Sequence, residues 1–299
     1  MKNIFKVINS IQTHLITWGD PFDCSGQDVI ICVTGNPGVT DFYIEFGTAL
    51  HENTGLPVCV IGHAGHEEVP DKKSNMLQGQ ENLFNLEGQI EHKLDFIYNY
   101  VDKRSNMHLI GHSIGSWMIL EALQKHSNLI NRISSINLLF PTIQHMAETK
   151  NGIFLNNFIR NFHTIALLVF TLAYMLPNYI KSLLIKIYLK FNSLPLHYEE
   201  RIQKYCNPRV GEKVLFLAYD EMDKVTSLNN YIIEKIKHMT NIIYSNHDGW
   251  VPVKYMEDLK CYQPYLQMKV VNIDHAFVLK SAEIIAEMVS DYIKLKLNK

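Results

Sequence analysis

The chain has 299 residues, 47% of them hydrophobic and 19% charged, which is enough to bury a large core and suits one α/β domain with an insertion better than two independent domains. A formal charge of −2 excludes a dominant electrostatic footprint for nucleic acid. Five cysteines (Cys24, Cys32, Cys59, Cys206, Cys261) with no CxxC spacing are read as reduced, buried thiols of a cytosol-facing protein.

The first residues, Met1 to Val7, carry no apolar run of signal-peptide length before the polar Asn9-Ser10-Ile11-Gln12, so no cleaved leader is expected. Short apolar runs bounded by turn residues then recur: Val29–Val33, Pro57–Ile61, Met107–Ile110, Ile136–Phe140, Ile242–Tyr244 and Met268–Val271. Helical patterns separate them. Leu86, Ile90, Leu94, Ile97 and Val101 share one face of a long helix, and Ser281–Leu297 repeats the pattern with Ile284, Ile285, Met288 and Ile293. Such alternation predicts an α/β fold with a mostly parallel central sheet covered by helices on both faces.

The alternation breaks between Pro141 and about Met239, where the only strand-like run is Val214–Leu217. Asn161 to Ile180 contains no Asp, Glu, Lys or Arg, and Ile165–Phe170 is apolar on every helical face. After Pro177, the residues Ile180, Leu183, Leu184, Ile187 and Phe191 form a stripe with Lys186 and Lys190 away from it. Two readings stand: a buried lid helix, or a lipid-surface element spanning about Ile153 to Phe191. The polar Asn161, His163 and Thr164 and the bend at Pro177 suit a shallow hairpin in one leaflet better than a spanning helix. The expected organisation is an α/β core over 1–141, a helical apolar cap over 142–239 and the rest of the core over 240–299.

The chemistry centres on Met107-His108-Leu109-Ile110-Gly111-His112-Ser113-Ile114-Gly115, an apolar run leading into Gly-x-Ser-x-Gly and then a helix-forming stretch. This is the pattern of a nucleophile elbow, in which the flanking glycines relieve crowding in a strained turn and expose the serine hydroxyl. A serine nucleophile needs a histidine base, and the base needs a carboxylate to fix its tautomer. In the chain order Ser, acid, His, the base is His275, placed after the last strand-like run, and the acid is Asp248, in Asp248-Gly249-Trp250-Val251-Pro252. Asp274 is the rival acid, but side chains of sequence neighbours usually diverge, and Asp248 has the bland role of an Asx turn open to it as well. The oxyanion hole is expected from the backbone N–H groups of Ile114 and of Asn36, the latter in Val33-Thr34-Gly35-Asn36-Pro37-Gly38. His63-Ala64-Gly65-His66 lacks a carboxylate or cysteine frame, so a loop role is preferred to ligation and no metal or other cofactor is expected.

Taken together, Thr34-Gly35-Asn36-Pro37-Gly38 with Phe42, Tyr43 and Phe46, His63-Ala64-Gly65-His66, Leu86-Glu87-Gly88-Gln89-Ile90-Glu91-His92-Lys93, Gly111-His112-Ser113-Ile114-Gly115 and Asp248-Gly249-Trp250-Val251-Pro252 resemble the lipid droplet-associated hydrolase family of the α/β-hydrolase superfamily. The resemblance implies a Ser113, Asp248, His275 triad, a lipid ester substrate with sterol esters among the options, and association with lipid droplets and endoplasmic reticulum through the internal apolar region. Thr34 departs from the proline expected before Gly-Asn-Pro-Gly. The favoured function is a lipid-droplet serine hydrolase of carboxylic esters, facing the cytosol. The alternatives are a weakly active scaffold of the droplet surface, and a soluble thioesterase or peptidase with the insertion as a lid.

Overall fold

The computed structural model describes residues 1–70 and 75–297. Its strands are β1 (Lys2–Ile8), β2 (Ile11–Trp18), β3 (Val29–Val33), β4 (Val58–Ile61), β5 (Met107–His112), β6 (Ile133–Leu139), β7 (Thr240–Ser245) and β8 (Gln267–Val271). They form one sheet in the order β1-β2-β4-β3-β5-β6-β7-β8. All neighbours from β4 to β8 pair in parallel, while β1 and β2 form an antiparallel hairpin added at the β4 edge.

That hairpin is absent from the expected elements. Its two-residue turn is Asn9-Ser10, with φ of 44° and 67°, the positive values that a tight hairpin turn requires. With serine in place of glycine the usual signal is weakened, although Lys2–Ile8 alternates between exposed and more buried positions as an edge strand does.

The helices are α1 (Ile44–Thr54), α2 (Glu81–Phe84), α3 (Leu86–Asn99), α4 (Ile114–Lys125), α5 (Lys150–Phe154), α6 (His163–Met175), α7 (Asn178–Phe191), α8 (Tyr198–Tyr205), α9 (Pro208–Lys224), α10 (Asn230–Ile236), α11 (Val253–Glu257) and α12 (Ala282–Leu297). Successive strand residues point to opposite faces and so build two cores. Ile31 and Val33 join Ile90, Met118 and Ile233 of α3, α4 and α10 on one side. Ile30 and Cys32 join Phe46 of α1 and Ile285 and Val289 of α12 on the other. The α/β-hydrolase fold expected from the sequence is the fold observed.

Two details of the insertion differ from expectation. Val214–Leu217 is helical, lying inside α9, which Asn207 caps by accepting from the Arg209 N–H and which starts on Pro208. The run looks strand-like because α9 is buried on more than one side. Leu217 enters the sheet core, Phe216 packs by Ile11 and Phe84, and Gly211 abuts Phe170 of α6. The sheet-covering layer also resumes before residue 240, since α10 packs on α4 and gives Ile232, Ile233 and Ile236 to the core. Among the cysteines, Cys32 and Cys59 are buried as expected, whereas Cys24 and Cys206 are partly exposed and Cys261 is exposed; all five are free thiols.

Candidate active site

The strand β5 delivers Ser113 at the C-terminal edge of the sheet, directly before α4. Ser113 has φ 52° and ψ −122°, a conformation that costs a non-glycine residue on the order of 1–3 kcal/mol and that persists only where its surroundings over-determine it. The two glycines of the motif permit this turn. A Cβ on Gly111 would sit 2.7 Å from the Ser116 backbone, and one on Gly115 would sit 2.6 Å from the carbonyl oxygens of Val33 and Thr34. The Ser113 N–H donates to the Leu139 carbonyl at 2.9 Å, tying the turn to β6.

Three side chains proposed from the sequence meet here. Ser113 Oγ lies 2.9 Å from His275 Nε2, and His275 Nδ1 lies 2.6 Å from Asp248 Oδ2. A neutral His275 with its proton on Nδ1 donates to Asp248 and leaves Nε2 free to accept the serine proton. Asp248 makes the contacts that both roles considered for it require. Its Oδ1 accepts the N–H groups of Trp250 (2.7 Å) and Val251 (3.2 Å) in an Asx turn, which leaves Oδ2 for the histidine. Burial pushes the Asp248 carboxyl up, but the His275 hydrogen bond and charge, with the two N–H donors, hold it below the usual carboxylate range. Asp274 turns away and meets His247 at 3.2 Å.

Asn36 and Ile114 flank Ser113. Ile114 is the first residue of α4, and the backbone N–H groups of Asn36 and Ile114 donate to no described residue. The Asn36 side chain is anchored behind the loop, where Nδ2 donates to the Val214 carbonyl (3.2 Å) and to Glu221 Oε1 (2.8 Å). Burial pushes the Glu221 carboxyl up to about 8 against the opposing effect of the Asn36 bond. Thr34 donates its backbone N–H to Ile61 O at 3.3 Å, a bond that proline could not make.

The motifs that carried the family resemblance brace this loop from below. The Gly38 N–H donates to His66 Nδ1 at 3.0 Å, and the Ala64 N–H and carbonyl pair with the Gln89 amide at 2.8 and 3.1 Å. His92 Nε2 lies 2.7 Å from Thr13 Oγ1, and Lys93 Nζ donates to Gln89 Oε1 at 2.9 Å. These groups are buried, and burial lowers the affinity of His63, His66, His92 and Lys93 for protons. The His63–His66 stretch is thus a packed support.

Ser113 and His275 open into a cavity of about 420 Å³ with mostly apolar walls. Phe42, Leu194, Ile202, Val278 and Leu279 line it, together with Phe170 of α6 and Tyr188 of α7. Much of the remaining surface of the same two helices is exposed. No residue of α6 is buried, and Leu168, Val169, Leu172 and Met175 are exposed, as are Leu183, Leu184, Ile187 and Phe191 of α7, the last at 87%. Only Ile185 and Leu189 anchor α7 inward. Among the described residues no single helix is long and apolar enough to cross a membrane; Lys150–Ile159 and His163–Met175 pass on composition only as a pair, bent by 89°.

Tyr43, His112 and Glu221 belong to this neighbourhood; Tyr43 and His112 stand in the motifs that carry the resemblance, but none of the three is among the site residues expected from the sequence. His112 had a visible signal, its place beside the nucleophile; Glu221 had none, because its proximity to Asn36 is created by the docking of α9.

Comparison with solved structures shows the same fold. A meta-cleavage product hydrolase superimposes with a TM-score of 0.67 over 98% of both chains at 13% identity, and an α/β-hydrolase enzyme from a deep-sea metagenome library does so at 0.67 over 97% of both chains at 14%. The chain is 40% identical to the lipid droplet-associated hydrolase of Drosophila melanogaster over 98% of each sequence, and 31% identical to that of Rattus norvegicus over 99% of this chain and 95% of that one. The family model for lipid-droplet associated hydrolases matches residues 26–278, and the chain belongs to that family.

Proposed function

We propose that the protein is a serine hydrolase of lipid carboxylic esters. The observation that carries this reading is the hydrogen-bonded series Ser113, His275, Asp248 at the floor of an apolar cavity. Ser113 Oγ attacks the ester carbonyl while His275 Nε2 takes its proton; His275 then returns that proton to the leaving alcohol, and water repeats the sequence on the acyl-enzyme. Asp248 holds the imidazole in the tautomer this requires. The N–H groups of Asn36 and Ile114 receive the negative charge that develops on the carbonyl oxygen. The cavity suits an acyl chain or another elongated apolar group, sterol esters included, and the relatives' names point to the lipid droplet.

The same reading makes the segment from about Ile153 to Phe191, within the cap spanning 142–239, the contact with the droplet or endoplasmic reticulum surface, leaving the core in the cytosol. Outward apolar faces on two consecutive helices exceed what a solvated surface normally carries. The decisive experiment compares lipid extracts of cells expressing wild type and Ser113→Ala, alongside fluorophosphonate labelling of the purified proteins. One lipid ester class should be lower in cells expressing wild type than in cells expressing the variant, and labelling, present in wild type, should vanish in the variant. Equal labelling of the two proteins rejects Ser113 as the nucleophile, and unchanged lipids with a wild type that does not label favour a scaffold of the droplet surface.

A further inference from the structure

Three backbone segments converge on the site from separate crossovers: the loop carrying Asn36, the end of β5 carrying Ser113, and the loop carrying His275. One side-chain relay joins all three. The Gly35 N–H donates to Tyr43 Oη at 2.8 Å, Tyr43 Oη lies 2.6 Å from His112 Nδ1, and His112 Nε2 lies 3.0 Å from the backbone carbonyl of His275.

The proton positions in this relay follow from its ends. A carbonyl can only accept, so His112 Nε2 carries a proton and donates to His275 O. Burial, with the His275 ring nearby, lowers His112 to about 3, so the imidazole is neutral and Nδ1 is an acceptor. The Tyr43 hydroxyl must therefore donate to Nδ1, and its lone pair accepts the Gly35 N–H. Every donor in the relay meets an acceptor, in a setting that is otherwise aromatic: Phe277 and Phe140 stand 5.0 and 6.3 Å from the His112 ring. Two apolar side chains in that space would leave the Gly35 N–H and the His275 carbonyl without these partners, and a buried network is tolerable only when complete. Completeness across three loops points to registration of those loops as its role.

We propose that Tyr43 and His112 are positioning residues of the hydrolase, setting the distance of the oxyanion loop and of His275 from Ser113; this rests on the serine-hydrolase reading above. A displacement of about 1 Å between reacting groups costs roughly 100-fold in rate. The relay's hydrogen bonds to the reacting loops go to backbone, and although Tyr43 and His112 also line the cavity, Tyr43→Phe removes only the hydroxyl and keeps that wall, so its loss acts on turnover.

The test uses the full chain with a short-chain chromogenic ester and a fluorophosphonate. Tyr43→Phe should lower kcat and the labelling rate roughly 10- to 100-fold with KM within about twofold and an unchanged circular dichroism spectrum. Tyr43→Phe combined with His112→Leu should lose little more than the worse single variant, because both remove one relay. If Tyr43→Phe does not fold, His112→Gln carries the same kinetic comparison. Wild-type kcat in folded Tyr43→Phe, a change confined to KM, or losses that multiply in the double variant overturns the proposal while leaving the hydrolase reading intact. A wild type that neither turns over nor labels removes both.

Discussion

The buried Glu221 and the partly buried Asn36 meet in a hydrogen bond of 2.8 Å that fastens α9 to the loop beside Ser113. The carboxyl is shielded from water and holds its proton to about pH 8, so it behaves at neutral pH as an uncharged clamp on the Asn36 amide.

A pH signature follows. An unfolded Glu221 ionises near its ordinary value of 4.5, the folded one near 8. Below 4.5 both forms are protonated; between 4.5 and 8 only the folded chain holds the proton, so this group's contribution to stability declines as pH rises, by at most about 1.4 kcal/mol per unit. Glu221→Gln should therefore flatten the fall in stability between pH 5 and 8 relative to wild type, measured by urea denaturation. Parallel pH curves for the two proteins reject the assignment.

Asp248→Asn should leave the fold intact and reduce turnover severely, because the asparagine cannot favour the required His275 tautomer; the corresponding change in a serine protease costs about 10⁴-fold. Asp274→Asn should be nearly silent, since that carboxylate faces His247. A reversed pattern in kcat would move the acid to Asp274.

Gly115→Ala tests the packing of the elbow. The added methyl would lie 2.6 Å from two carbonyl oxygens of the β3 end, so α4 must shift, at a cost of about 1–3 kcal/mol. A lowered Tm together with slower labelling of Ser113 is the expected result; a variant with wild-type Tm would show that the turn is slack.

Aspartates in place of Leu168 and Val169 should release the protein from droplets, since each charge costs roughly 2.5–3.5 kcal/mol in an apolar medium. Both side chains are exposed, so the fold should survive and Ser113 should still label. A folded double variant that stays on droplets would place the attachment elsewhere.

Much of this was legible in the sequence, and the failures share a cause. Val29–Val33 and Met107–Ile110 announce themselves as buried parallel strands because both of their faces are apolar, and the family resemblance is carried by residues now seen to brace the site, such as Gln89 and His66. The β1–β2 hairpin escaped because half of β1 faces solvent and its turn is Asn-Ser. Val214–Leu217 misled because a helix buried on several sides loses the polar stripe that reveals its period. At the site, Ser113, His275 and Asp248 could be proposed from local motifs, whereas Glu221 and Tyr43 are defined by what they touch, and those contacts exist only after folding.

Phe170 lines the cavity while Leu168 and Val169, on the same turn of α6, face outward. With that face seated in lipid, only the thickness of α6 would separate the reservoir from the cavity that Ser113 lines. Supply would then depend on how many ester molecules sit per unit area beneath the helix, so the rate should track droplet surface and ester mole fraction, and diluting the same lipid in more buffer should leave the turnover of each bound enzyme unchanged.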